Sequence, residues 1–257
     1  MRRILCLTVL ALLLSCSVKE NRSHCPCDLL VRPGEKLESE GSVVVSIVQD
    51  GLVVGQEMLS REEFEAGKCV MTVDRVPATV TVFSGITTMS LQKGVQLGIR
   101  TEQQCDELFS CSISADLNAE SYECPVSLHK NFARLYLTVL NLRNGMDLCV
   151  SGTVGGYNLL DAAPCEGDFI IPTENSDAAR GCCIRLPRQL DDSLALEITM
   201  EGELVRSVPL GALIASTGYS YSDEDLMDIA MTVDLDKSYA SLSVEGWEKV
   251  TIPFIEF

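Results

Sequence analysis

Short runs of β-branched and aromatic residues, each closed by turn formers, recur from residue 28 to the C-terminus, and they point to packed sheets. Ala78-Thr79-Val80-Thr81-Val82-Phe83 alternates apolar and hydroxyl side chains with period two, the pattern of a strand with one face in a core. Ser42-Val43-Val44-Val45-Ser46-Ile47-Val48 is more continuously apolar and suits a strand inside a sandwich. A first series of strands is predicted at 28–32, 42–48, 69–73, 79–83, 96–100 and 108–112. A second follows at 133–142, 149–154, 168–171, 182–186, 194–200, 227–235, 240–244 and 249–257. The fold class is therefore all-β, and the two series predict two sandwiches, over 25–125 and 126–257. The expected boundary is Cys124-Pro125-Val126, where the acidic stretch Asp116 to Glu123 ends. Helix is scarce: Ser60 with Glu63 forms a capping box for a turn or two, and Pro209 opens a short helix that Gly218 stops.

The N-terminus reads as a bacterial export signal over residues 1–15. Met1-Arg2-Arg3 is basic, Ile4 to Leu14 is almost wholly apolar, and the segment is too short to span a membrane stably. Leu13-Leu14-Ser15-Cys16 resembles the bacterial lipobox, which implies cleavage before Cys16 and acylation of that residue by chains such as palmitate. Each buried methylene contributes about 0.8 kcal/mol, so several chains on Cys16 hold a soluble domain at a bilayer. Residues 16–24 then form a lipidated tether. Ser17 stands where many inner-membrane lipoproteins carry aspartate, which favours the outer membrane and the cell surface.

Lys+Arg 20 against Asp+Glu 37 gives a formal charge of −17, a field that repels phosphate backbones, so nucleic acid is excluded as a partner. With export, the cysteines left after Cys6 and Cys16 become disulfide candidates: Cys25, Cys27, Cys69, Cys105, Cys111, Cys124, Cys149, Cys165, Cys182 and Cys183. At least two bridges are expected among them. Their connectivity is not legible, although the adjacent Cys182 and Cys183 are poorly placed to bridge each other.

Catalytic and metal chemistry are not expected. There is no phosphate loop, nucleophile elbow or His-Glu-x-x-His, and only two histidines, His24 and His129, are present. His24-Cys25-Pro26-Cys27 has no matching ligand pair downstream for zinc. Asp223-Glu224-Asp225 with Asp228 lacks a calcium-loop glycine and reads as a cap or solvated face. Gly152, Gly155 and Gly156 read as a hairpin or bulge, His129 as a structural hydrogen-bonding residue, and Trp247 as an anchor for the last strands. No cofactor is called for.

Cys16, then Cys25-Pro26-Cys27-Asp28-Leu29, His129-Lys130-Asn131-Phe132-Ala133 and Leu186-Pro187-Arg188-Gln189-Leu190 stand in an order that resembles the FimB-like fimbrial anchor lipoproteins of Bacteroides-type bacteria. Pro209-Leu210-Gly211 to Gly218-Tyr219, Asp225-Leu226-Met227-Asp228-Ile229 and Gly246-Trp247 continue the resemblance across the chain. It implies two tandem transthyretin-like Greek-key β-sandwich domains, no catalytic residues, fimbrial stalk subunits as partners, and contact by strand exchange. An anchor that keeps its acylated N-terminus keeps its own first strand, whereas a stalk subunit loses an N-terminal segment to a trypsin-like protease. Arg22 and Arg32 are formally cleavable.

The terminal segment 249–257 places Val250, Ile252 and Phe254 on one face and Ile255 and Phe257 on the other, and Pro253 requires an edge. It either closes its own sandwich or enters a neighbouring subunit. Two other functions remain open at this level: a tip or accessory pilin with an adhesive role, and a surface-binding lipoprotein outside any pilus. The low aromatic content, 5%, argues against glycan binding in the latter.

Overall fold

The computed structural model describes residues 23–92, 94–173, 178–179, 181–244 and 250–253. Its strands are β1 (Pro26–Pro33), β2 (Ser42–Gln49), β3 (Leu52–Ser60), β4 (Val70–Asp74), β5 (Ala78–Ile86), β6 (Ser90–Gln92), β7 (Gln96–Gly98), β8 (Phe109–Ala115), β9 (Ser121–Val126) and β10 (His129–Lys130). They continue as β11 (Phe132–Leu140), β12 (Met146–Asn158), β13 (Pro164–Thr173), β14 (Cys182–Pro187), β15 (Ala195–Met200), β16 (Glu203–Val208), β17 (Ile229–Asp234), β18 (Tyr239–Val244) and β19 (Val250–Pro253). Two short helices, α1 (Arg61–Glu65) and α2 (Leu210–Ala215), complete the described elements. The protein is all-β, and each predicted strand run has its counterpart.

The first sandwich packs a three-stranded sheet, β4-β1-β9, on a five-stranded sheet, β10-β8-β5-β2-β3. Leu29 and Val31 of β1 and Met71 of β4 meet Val43, Val45, Val80 and Val82 of β2 and β5 in one core. β1 runs antiparallel to β4 but parallel to β9, which begins in the acidic stretch. Alternation explains that strand: Tyr122, Cys124 and Val126 face the core, while Glu123 and Pro125 point out. Pro125 is tolerated because β9 is an edge.

The second sandwich packs β14-β11-β17-β18-β19 on β16-β15-β12-β7-β6, with β13 also paired to β12. Leu135, Leu137, Ile184, Met231 and Leu242 of one sheet meet Leu148, Val150, Leu196 and Ile198 of the other, and α2 closes one end with Leu210 and Ile214. The glycine cluster lies within β12, which has two register irregularities between Gly152 and Gly156. A Cβ on Gly156 would stand 2.3 Å from the Leu97 carbonyl oxygen, so glycine is what lets β7 pair there.

Two elements cross between the sandwiches. The β6–β7 hairpin leaves the first sequence half and extends the second sandwich through Leu97 and Tyr157, while β10 pairs back onto β8. A third core fills the seam, where Val44 and Phe83 on the outer face of the five-stranded sheet meet Met89, Leu97, Phe132, Tyr157 and Leu159. This explains the continuous apolar run of β2, since both of its faces are covered.

The capping box forms as read: the Glu63 amide donates to the Ser60 hydroxyl and the Ser60 amide to the Glu63 carboxylate, both at 3.2 Å. Pro209 precedes α2, and Gly218 follows it with a left-handed φ of 87°. The sequence reading passed over β3, β6, β9, β10 and β16, which are short, edge-placed or half polar. The expected disulfides are not formed in this structure, where all ten mature cysteines are free thiols. They are spread over three cores and two outer faces, so proximity is not general among them.

Candidate strand-exchange edges and the sandwich junction

The N-terminal strand is the best-buried element of its sheet. Cys27, Leu29 and Val31 have no exposed surface, and β1 has a partner on each side. Its ends are tied as well: the Arg75 amide donates to the Cys25 carbonyl at 3.1 Å, and the Gly34 amide to the Val126 carbonyl at 2.8 Å. Arg32, one of the two cleavable arginines, lies inside this ladder opposite Pro125, with its guanidinium on Glu123. A protease that needs several extended residues in its own cleft cannot engage Arg32 while β1 is paired. Cys16 and Arg22 lie outside the described residues.

At the other end, β19 pairs antiparallel with β18, with Val250 opposite Leu242 and Ile252 opposite Ala240. It is an edge strand, as Pro253 requires. Ile252 packs partly against the second core, whereas Val250 is exposed. Phe254, Ile255 and Phe257, with Trp247, lie outside the described residues.

Three of the motifs that carried the family resemblance, 129–133, 186–190 and 225–229, meet at the seam. The His129 Nδ1 lies 3.2 Å from Asp225 and its Nε2 3.0 Å from Glu224. The Lys130 ammonium donates to Asp228 at 2.6 Å, and the Lys130 amide to Asp225 at 2.6 Å. Burial opposes the charge of Asp228, but the Lys130 ammonium and the Arg134 amide outweigh it and hold this carboxyl below the usual range. Arg188 donates to Asn131 at 2.5 Å and to the Asp223 and Glu224 carbonyls. The acidic group read as a cap or solvated face therefore ties the 223–228 loop to β10 and β11.

Two groups that the sequence did not flag lock the seam from inside. The hydroxyl of the fully buried Tyr157 donates to the Asn131 carbonyl at 2.6 Å and accepts the Arg188 amide at 2.9 Å. Asp106, 1% exposed, accepts the amides of Thr87, Thr88 and Met89 and the hydroxyls of Thr87 and Thr88. Burial opposes its charge, and these donors offset burial and lower its pKa. Thr87-Thr88 beside an apolar residue was the only available signal, and it names no partner nineteen residues away.

A cleft of about 360 Å³ opens at the seam among Leu37, Phe109, Val126, Leu128, Lys36 and Lys130. Among the described residues, no helix is long and apolar enough to cross a membrane. Of the cysteines, Cys27, Cys69, Cys111 and Cys124 belong to the first core or pack on it, and Cys105 lies in the seam. Cys182 donates to the Leu137 carbonyl at 3.5 Å, and Cys183 is exposed. Burial pushes the Cys69 thiol up to about 12 and the Cys111 thiol likewise to about 12.

This architecture is shared with solved structures. The fimbrial anchor protein Mfa2 from Porphyromonas gingivalis matches with a TM-score of 0.63 at 13% identity, over 87% of this chain and 98% of that one. A candidate polysaccharide-binding protein from Bacteroides thetaiotaomicron matches with 0.61 at 13% identity, over 89% and 98%. A candidate adhesin from Bacteroides ovatus gives 0.55 at 13%, over 92% and 97%. At such identities the likeness is one of fold, common to fimbrial and adhesin proteins of this bacterial group. No protein-family model and no curated protein matches the chain.

Proposed function

We propose that this chain is a non-enzymatic outer-membrane lipoprotein that anchors an adhesive fimbria to the cell surface through acylated Cys16. Its two sandwiches are read as transthyretin-like Greek-key domains, with residues 16–24 as the tether. The observation that carries the anchor reading is the place of β1, buried at the centre of its own sheet with Arg32 sequestered in the ladder. A subunit that keeps this strand has no vacant groove there for an incoming donor, so it terminates a polymer. Fold likeness to a fimbrial anchor supports the same reading. Fimbrial stalk subunits are the proposed partners, reached by strand exchange through the terminal segment with Val250, Ile252, Phe254, Ile255 and Phe257.

The test is Cys16→Ser in the producing bacterium, with the mature N-terminus of the wild-type chain read by mass spectrometry. The expected result is an N-terminus at Cys16 in wild type and fimbriae shed into the medium in the variant. Cell-bound fimbriae at wild-type level in Cys16→Ser would refute anchoring, and an N-terminus after Arg22 or Arg32 would assign a processed pilin instead.

A further inference from the structure

We infer that Cys111 and Cys124 are a dithiol–disulfide pair that closes between the two sheets of the first sandwich when the chain meets a disulfide oxidant. The two residues lie on consecutive strands, β8 and β9, that belong to opposite sheets. Both side chains face the same core, which holds Cys124 and has Cys111 packed against it. Their depths match. Cys111 is four residues before the end of β8 and Cys124 three residues after the start of β9, on either side of the same reversal through 116–120. Sheets lie about 10 Å apart at their centres, and immunoglobulin-type sandwiches bridge such sheets with a disulfide. Here the reversal holds β8 and β9 together at a margin of the sandwich, since β9 is an edge and beyond β8 lies only the two-residue β10. Burial raises the Cys111 thiol, and the charge of Cys124 adds to that rise.

The other two thiols of this core stand apart from Cys124. Val31 of β1 is opposite Cys124, and its amide donates to the Cys69 carbonyl on the other side. Cys69 and Cys124 are therefore two strand spacings apart, about 9–10 Å, beyond the Cα separation that a disulfide spans. Cys27 is four residues along β1 from Val31, about 13 Å. Cys105 lies in the seam core, on the far side of the five-stranded sheet.

With oxidised glutathione as oxidant, one protein thiolate attacks a glutathione sulfur, forming a mixed disulfide and releasing one glutathione thiolate. The second protein thiolate attacks the protein sulfur of that mixed disulfide, forming the Cys111–Cys124 bond and releasing the second glutathione. Two protons leave the protein thiols, and two electrons reduce one glutathione disulfide to two thiols. Cys111, the more exposed of the pair, makes the first attack, and Cys124 then attacks its sulfur in the mixed disulfide. The physiological oxidant depends on the exported location proposed above, but the pairing does not.

The experiment equilibrates the full-length protein in oxidised and reduced glutathione at pH 8, alkylates free thiols in denaturant, and cleaves after glutamate and with trypsin. Cuts after Glu107, Glu120 and Glu123, with a tryptic cut after Lys130, leave Cys111 alone in Leu108–Glu120 and Cys124 alone in Cys124–Lys130, apart from Cys105, Cys149 and Cys165. The expected product joins the Leu108–Glu120 fragment to the one beginning at Cys124 and falls apart on reduction. The oxidised protein should melt about 5–10 °C above the reduced one, a shift absent from Cys111→Ser and Cys124→Ala. Complete alkylation of both residues after equilibration, or a bridge from either to another cysteine, overturns the pairing. Because the fragment map reads wild-type protein, a variant that fails to fold leaves it decisive, and failure of fimbrial anchoring has no bearing on it.

Discussion

Replacing Asp106 tests whether the two sandwiches are coupled by the buried carboxylate behind Thr87–Met89. One oxygen accepts the amides of Thr87 at 2.8 Å, Thr88 at 2.8 Å and Met89 at 2.9 Å, and the other accepts the Thr87 and Thr88 hydroxyls at 2.6 and 2.7 Å. Asp106→Asn keeps one oxygen for the three amides and turns its NH₂ toward hydroxyls that can rotate to accept. It loses charge assistance, which roughly doubles each such bond, or about 1 kcal/mol for each of the three amides. The expected cost is about 2–3 kcal/mol at pH 7. Asp106→Ala strands the three amides at about 1–3 kcal/mol each, so its cost is about 4 kcal/mol or more.

The pH dependence separates this account from simple loss of packing. The folded-state pKa of Asp106 is depressed, so its stabilisation is full above the unfolded value of about 3.9 and is lost as pH falls through the folded value. Urea unfolding by circular dichroism at pH 7, 5, 4 and 3 should show wild type and Asp106→Asn converging only at the acid end. Amide exchange of Leu97 in the crossing hairpin should accelerate in both variants. Equal stability of wild type and Asp106→Asn at pH 7, or a difference that does not shrink in acid, would refute the reasoning.

Tyr157→Phe should cost about 1–3 kcal/mol in thermal unfolding, because the Arg188 amide loses its acceptor and the Asn131 carbonyl its donor in a fully buried seam. Gly85→Ala should destabilise by about 2 kcal/mol or more, since a Cβ there stands 2.1 Å from the Glu107 carbonyl oxygen at a φ of 96°; a melting temperature within a degree of wild type would count against it. Deleting residues 253–257 separates two roles for the C-terminus: own-sandwich closure predicts a less stable monomer, and donation predicts a folded, lipidated chain that no longer co-purifies with fimbriae. An unchanged melting temperature with fimbrial capture intact contradicts both.

Strand positions were legible where alternation is strong, as in β5, and where a run is apolar throughout, as in β2. The helix signals were legible too, because capping at Ser60 and the Pro209–Gly218 limits act within a few residues. What failed to read was placement. Ser121 to Val126 carries the alternation of a core strand, yet its acidic neighbours and Pro125 resemble a linker until β1 is seen beside it. Ser90 to Gly98 gives no sign that it crosses to β12, since that pairing depends on Gly156 far away in sequence.

By itself the sequence determined the all-β class and most strand positions, and it set the expectations of export, of lipidation and of no nucleic-acid partner, because each rests on local periodicity, spacing or summed charge. The tertiary structure decided which strands are edges, which thiols share a core, and that Asp106, Tyr157, Lys130 and Asp228 hold the seam. Those are matters of long-range pairing: a side chain's partner is fixed by which sheets the chain closes, and no interval along the sequence encodes that distance.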